Sequence, residues 1–448
     1  MSAGGAELSA WWGLPFAGIL LSIALLPLLT PAFWQRHAGK IALGWALAFL
    51  LPFALRFGAA QAGHSLAHML LADYLPFVIL LTALFTTAGG IYVRGNLRGS
   101  PALNTGLMAI GAVLASFMGT TGASMLMIRP LIRANDNRPQ AAHVIVFFIF
   151  IVANAAGALT PLGDPPLFLG FLQGVSFFWT IGHLLPETLF LVGALLALFY
   201  AIDAWHFRRE GVMPIDPTPA DAPPLGIAGA INLLPLLAIV ALVLVSGTWN
   251  PGVAVSVLGV ELTLQQLVRD GGLVAVTLVS LAITPNGVRA ANEFSWGPMK
   301  EVAELFIGIF VTMIPMLAML KAGESGAFAA IVRAVTGADG EPLPWAYFWF
   351  SGALSSFLDN APTYLVFFNL AGGDAGELMT RLAATLAAIS AGSVFMGANT
   401  YIGNAPNFMV KAIAESRGIR MPSFFGYMAW SGAVLIPLFV IITFIWMR

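Results

Sequence analysis

The chain has no cysteine, which removes disulfides, thiolate chemistry and cysteine-ligated metals from any account of it. It is also poor in charge: 9% of its 448 residues are Asp, Glu, Lys or Arg, where a soluble domain carries about a quarter. With 59% hydrophobic residues and a mean hydropathy of +0.87, it has too little polar surface to clothe a water-soluble globule of this length. The net charge of −1 offers no basic field for a nucleic acid. HExxH, a P-loop lysine motif and GxSxG are missing, and the six histidines are scattered, so the common enzyme signatures are absent. The opening MSAGGAELSAWWG lacks the basic stretch of a cleaved signal peptide, so the first apolar run is read as a permanent span.

What the chain does have is a series of apolar runs of about 20 residues. In hydrocarbon only helices or closed barrels satisfy their own backbone, and these runs predict an all-α polytopic membrane protein. A proline-rich polar stretch over 206–228, containing HFRREGVMPIDPTPADAPPLG, reads as an extended cytoplasmic linker between halves 1–205 and 229–448.

Those halves repeat. At a constant shift of 240 positions, SFMGTTGAS (116–124) lies over SFLDNAPTY (356–364) and GALTPLGDPP (157–166) lies over GANTYIGNAP (397–406). Two motifs held at one offset predict an internal repeat. Each half is read as about five spans plus one re-entrant hairpin, at 101–132 and 344–371, and one broken helix, at 141–166 and 382–407. With both termini outside, fourteen of the twenty Lys and Arg residues fall on the cytoplasmic side, and Arg56, Arg269, Lys321, Arg333, Arg381 and Arg448 fall outside. The first half then begins outside and the second inside, an inverted pair suited to alternating access.

Chemistry is expected at the breaks. Proline and glycine inside a span free carbonyls and amides that lipid cannot satisfy. Two acids also lie in apolar surroundings, Asp164 in ALTPLGDPPLFLG and Asp359 in SSFLDNAPTYL. A simple reading makes each a helix cap. The functional one makes them carriers of a cation or proton, because Asn or Ser would cap at lower desolvation cost. Pseudo-symmetry gathers Asp164 and Asp359 with Thr120, Thr121, Asn360, Thr363, Thr160, Asn399, Thr400 and Asn404. No lysine or arginine lies in these motifs, and two acids among hydroxyl and amide oxygens suit a hard cation such as Na⁺. Among weaker positions, His143 and His183 are placed near span ends. Glu187 is read as an interfacial cap after Pro186, and Glu293, Lys300, Glu301 and Glu304 as an interfacial stretch before a span. Paired intramembrane aspartates also occur in proteases, but broken helices within an inverted repeat fit that poorly, and a channel rarely needs two opposed hairpins.

TPLGDPPLFLG resembles the TxIGDPPN signature of the ion transporter superfamily. That group includes arsenite permeases, NhaD-type sodium/proton antiporters, citrate transporters and dicarboxylate/sodium symporters. SSFLDNAPTYL is similar to the SxxLDNxPT hairpin of its NhaD- and arsenite-permease-like branch. The resemblance spans essentially the whole chain and implies a scaffold and a transport domain that moves elevator-fashion, commonly in a homodimer. On it, Asp164, Asp359, Asn360 and Asn404 are the matching ion-site positions. The chain departs in having Leu167 where asparagine commonly follows GDPP, and GTTGAS in place of the Ser-Asn-Thr clamp of the dicarboxylate branch. The expectation is a Na⁺/H⁺ antiporter of the bacterial inner membrane, with no cofactor beyond the coupling ion, Na⁺ or H⁺. Asp164 and Asp359 are then the candidate Na⁺ ligands, and the partners are a small cation or small-molecule anion and membrane lipid. A cation-coupled citrate or other organic-anion carrier is the runner-up, and an arsenite-type permease comes third.

Overall fold

The computed structural model describes residues 7–95, 97–210, 225–338 and 340–448. Among them, ten helices are long and apolar enough to cross a membrane, and the chain is an all-α polytopic membrane protein. Strands among the described residues are confined to two short antiparallel pairs, Tyr92–Arg94 with Gly226–Ala228 and Ala254–Val257 with Val260–Thr263. The linker expected over 206–228 is shorter than the sequence suggested. Helix Trp179–Glu210 runs on through its first residues and Gly226–Ala228 pairs as a strand, while 211–224 lie outside the described residues.

Burial separates inner from outer helices. In Ala142–Leu159, 89% of the span is covered by protein, against 22% in Leu264–Ile283, whose Leu278 and Val279 stay exposed as a lipid-facing surface would. The innermost helix is therefore the one that leads into the first proline-glycine break.

One of the ten helices is not a straight span. Thirty-four helical residues laid end to end measure about 51 Å, yet in Pro101–Ala134 the two ends meet. The Gly99 amide donates to the Ala134 carbonyl at 2.5 Å, and Asn104 and Asn135 exchange side-chain hydrogen bonds of 2.9 and 2.8 Å. The segment doubles back at Gly119, where φ +80° and ψ 152° leave helical space altogether. Only glycine adopts that conformation readily. The second-half counterpart turns between Pro344–Phe357 and Asn360–Leu370, with Leu358 and Asp359 extended.

The helices that follow the breaks pack across the halves. Pro165–Leu172 lies on the Asn360–Leu370 arm, with Gly170 against the Tyr364 hydroxyl, and Ala405–Ser416 lies on the Pro101–Ala134 hairpin. Each half thus seats its post-break helix on the other half's hairpin. At the basic end of the first hairpin, Glu293 joins Arg129 (3.2 Å) and Arg417 (2.6 Å). Glu293 is a bridging group between loop, hairpin and helix, and Lys300 and Glu304 pair across one helical turn at 3.6 Å.

Two outcomes follow from this architecture. Gly119→Ala should lower stability by about 1–3 kcal/mol, read as a drop in the thermal midpoint of the purified protein. The hydrogen bond and charge of Arg129, with Arg417 beside it, hold the Glu293 carboxyl below the usual glutamate range. A carboxyl depressed in this way adds stability above its unfolded pKa and loses it as pH falls through the folded value. Glu293→Gln should therefore cost no more than about 1 kcal/mol at neutral pH, as an exposed pair does. The difference from the parent should vanish in acid, which paired melts at neutral and acidic pH would reveal.

Candidate functional site

Each break is secured by the tip of its own hairpin. The Thr160 hydroxyl donates to the Ser116 carbonyl and accepts from the Leu162 amide at 3.2 Å, while Ser116 Oγ donates to the Ala156 carbonyl at 3.0 Å. At the shift of 240, Thr400 Oγ1 donates to the Ser356 carbonyl at 2.5 Å and accepts from the Ile402 amide at 3.2 Å, and Ser356 Oγ donates to Met396 O at 3.2 Å. The backbone repeats as well: Asp164 has φ −146° and ψ 145°, and Asn404 has φ −151° and ψ 140°. Hydroxyls at the equivalent positions thus take up the carbonyls and amides that the broken helices release.

Asp164 does not cap the helix it precedes. Pro166 removes one of the two N–H groups that a cap would serve, and the other, the Leu167 amide, bonds to the Asp164 carbonyl instead at 3.1 Å. The carboxylate turns inward and is 1% exposed. Oδ1 accepts from the Thr120 hydroxyl at 2.7 Å and from Asn404 Nδ2 at 3.4 Å, and Oδ2 accepts from Asn360 Nδ2. Thr120 and Asn360 are repeat mates at the two hairpin tips, and Asn404 is the mate of Asp164 itself. Space is tight here. A Cβ on Gly157 would come within 2.7 Å of Thr120 Cγ2 and 3.0 Å of Asp164 Cβ.

The other candidates divide into distinct jobs. Asp359 does cap, accepting from the Ala361 amide at 3.1 Å, and directly precedes Asn360, whose side chain donates to Asp164. Thr363 donates to the Asp359 carbonyl at 3.1 Å, so with Thr160 and Thr400 it serves the backbone. Asn399 donates to Ser356 Oγ at 2.9 Å, and its Oδ1, like that of Asn360, is a buried acceptor with no partner among the described residues. Thr121 sits in the wall of a cavity of about 100 Å³ that reaches Thr120 and Asp164 between Phe168 and Met299. That is room for about three waters, and no lysine or arginine lines it.

Two residues outside the candidate set join the site. Asn154 sits six residues before Thr160 and donates to Asn407 Oδ1 at 2.7 Å and to the Ile149 carbonyl at 2.8 Å. Its Oδ1 accepts from Asn404 Nδ2 at 3.2 Å. Asn407 donates to the carbonyls of Gly397 and Thr400 at 2.8 and 2.9 Å. Together they lace the first break to the second. The signal was a single amide in the apolar run VIVFFIFIVANAAG, where an unpaired polar group is costly. Glu187 also needs correction as an interfacial cap. The helix starts earlier, at Trp179, whose indole donates to the Met379 carbonyl at 3.0 Å, so Glu187 lies inside it and is 1% exposed. His143 stands in the first turn of its helix but is buried against Asp203 at 2.8 Å.

A family model described as "Putative citrate transport" matches residues 5–447, and the chain belongs to that family, a group of transporters akin to the ion transporter superfamily. Two mycobacterial proteins, each named an uncharacterized transporter, are similar to it. One is from Mycobacterium bovis and one from Mycobacterium tuberculosis. Both are 26% identical over 386 residues, covering 80% of this chain and 80% of theirs.

The lacing between the breaks can be tested without touching Asp164. Asn407→Leu copies the residue found at its repeat mate, Leu167, but strands two carbonyls and the Asn154 amide. Its thermal stability should fall by about 2–3 kcal/mol, the cost of buried polar groups left unmatched. An unchanged melt would show that the lacing carries no weight.

Proposed function

We propose, taking membership of that family as the premise, that the protein is a cation-coupled secondary transporter that exchanges Na⁺ for H⁺ at Asp164. The observation that carries this reading is the buried Asp164 carboxylate, held by Thr120, Asn360 and Asn404 beside a cavity of about 100 Å³ with no basic residue. A carboxylate in such a place is neutralised either by a proton or by a small cation. The unpartnered oxygens of Asn360 and Asn399 and the neighbouring Asp359 supply further hard ligands. H⁺ and Na⁺ then compete for one position, which is the essence of exchange.

The halves 1–205 and 229–448 act as inverted repeats with the termini outside, in a bacterial inner membrane. The hairpins and broken helices form the moving body and the other helices the scaffold of a homodimer. Hydrogen bonds that recur at a shift of 240 support this reading, as does the cross-seating of the post-break helices. A second reading, cation-coupled citrate transport, is favoured by the family's description. The cavity beside Asp164 is small for a tricarboxylate in this conformation, so the cation reading comes first.

Reconstituted vesicles with a trapped pH-sensitive dye separate the two. Na⁺ alone should move protons, and the Na⁺ concentration for half-maximal exchange should rise as pH falls. Asp164→Asn should abolish the signal. Asp359→Asn keeps the cap, since Asn also accepts from the Ala361 amide, so its loss of exchange would report a cation role and not misfolding. Full exchange in Asp164→Asn overturns the site, and a signal that requires citrate reverses the order of the two readings.

A further inference from the structure

Two elements that begin at the Asp164 cavity end at another, much larger one. The second arm of the first hairpin starts with Thr120 and Thr121 and reaches Arg129 and Arg133. Beside it, Ala405–Ser416 starts with Ala405 and Met409 and leads to Ile413, Arg417 and Arg420. The second cavity measures about 750 Å³ and shares no lining residue with the first. Five arginines line it, Arg129, Arg133, Arg138, Arg417 and Arg420, against one acid, Asp136.

Among the described residues, the guanidinium groups of Arg129 and Arg138 have N–H donors with no acceptor. Arg129, with 8% of its side chain exposed, gives one N–H to Glu293, while its Nε and Nη1 have no acceptor. Arg138 is fully buried and is held by Asp203 at 2.6 Å and Glu210 at 2.9 Å, yet its Nη2 is unmatched. Among the described residues, Arg133 bonds only neutral oxygens, the Tyr92 hydroxyl at 2.7 Å and the Val93 carbonyl at 2.5 Å. Arg420 is exposed and makes no ion pair among the described residues. Buried charged donors left open are costly and therefore informative. Guanidinium forks match the paired oxygens of carboxylate and phosphate, and several around one cavity of this size match a ligand with more than one such group.

We propose that this cavity binds a multivalent oxyanion, a di- or tricarboxylate or a phosphate, with Arg129, Arg133 and Arg420 as its donors and Arg138, sealed in its own ion pairs, adding positive charge behind the wall. A bound anion shares Arg129 and Arg417 with Glu293, so its occupancy changes the bridge that fastens the hairpin to the 292–296 loop. The site lies apart from the proposed ion site and does not depend on it.

The test is thermal unfolding of the full chain in nanodiscs of zwitterionic lipid, titrated with citrate, inorganic phosphate or acetate at matched ionic strength. Citrate or phosphate should raise the midpoint saturably and acetate should not. The double variant Arg133→Gln/Arg420→Gln should weaken the apparent affinity by about tenfold or more, the loss of a charge-assisted hydrogen bond. It spares the buried ion pairs, so folding is retained. Asp164→Asn should keep the response, which separates this site from the transport reading. A rise that needs phosphatidylglycerol in the disc and is lost in the double variant assigns the same site to a lipid phosphate. No response to citrate, phosphate or anionic lipid overturns the proposal. So does a response unchanged in the double variant, or one abolished by Asp164→Asn.

Discussion

Backbone amides and carbonyls opened inside a membrane must be answered by protein, and the rest of this architecture depends on that constraint. Two helices break at proline and glycine, and each break is answered by a threonine, Thr160 or Thr400, bonded to the carbonyl of a serine on a hairpin. The hairpins are therefore structurally required by the breaks. Their tips are carried to the centre of the molecule for that reason, and Thr120 and Asn360 arrive with them. The polar cluster around Asp164 grows out of a backbone problem that had to be solved first.

The backbone solution is symmetric and the side chains are not. Asp164 pairs with Asn404, Thr120 with Asn360, Gly119 with Asp359 and Leu167 with Asn407 across the shift of 240. At the centre, this converts what symmetry would make two facing carboxylates into one carboxylate and one amide donor, Asn404, at 3.4 Å. Two buried acids facing each other would repel, whereas an acid facing an amide is held. The second acid, Asp359, is moved to a hairpin tip, where the Ala361 amide engages it.

The spans, the breaks and the tips were legible in the sequence because each follows from local chemistry. Apolar length marks a helix, GDPP and GNAP mark a stop, and GTTG and LDNAP mark a turn. Which side chains meet was legible only where the repeat superposed them, so Thr120, Asn360 and Asn404 were found around Asp164. Asn154 was missed because its repeat mate is Val394 and no motif surrounds it. Glu187 was misplaced because Pro186 reads as a helix start, although a helix already anchored by Trp179 carries the proline in its interior. The cap was the alternative reading of Asp164 for the same local reason. Only the loss of the N–H group at Pro166, set against the donors arriving from both hairpins, shows where it points.

The first hairpin is fastened at its foot, by Gly99 to Ala134 and by the Asn104–Asn135 pair. It resembles tweezers joined at the base, so the foot is the fulcrum and the tip has the longest travel. An arm of 15 residues, from Thr120 to Ala134, is about 22 Å long, and a tilt of ~10° about the foot carries the tip by about 4 Å. That displacement exceeds a hydrogen bond and is close to the width of a water molecule. A modest pivot, with every helical bond in the arm intact, would therefore carry Thr120 and the break bonded to it, Asp164 included, past the surrounding helices as one piece.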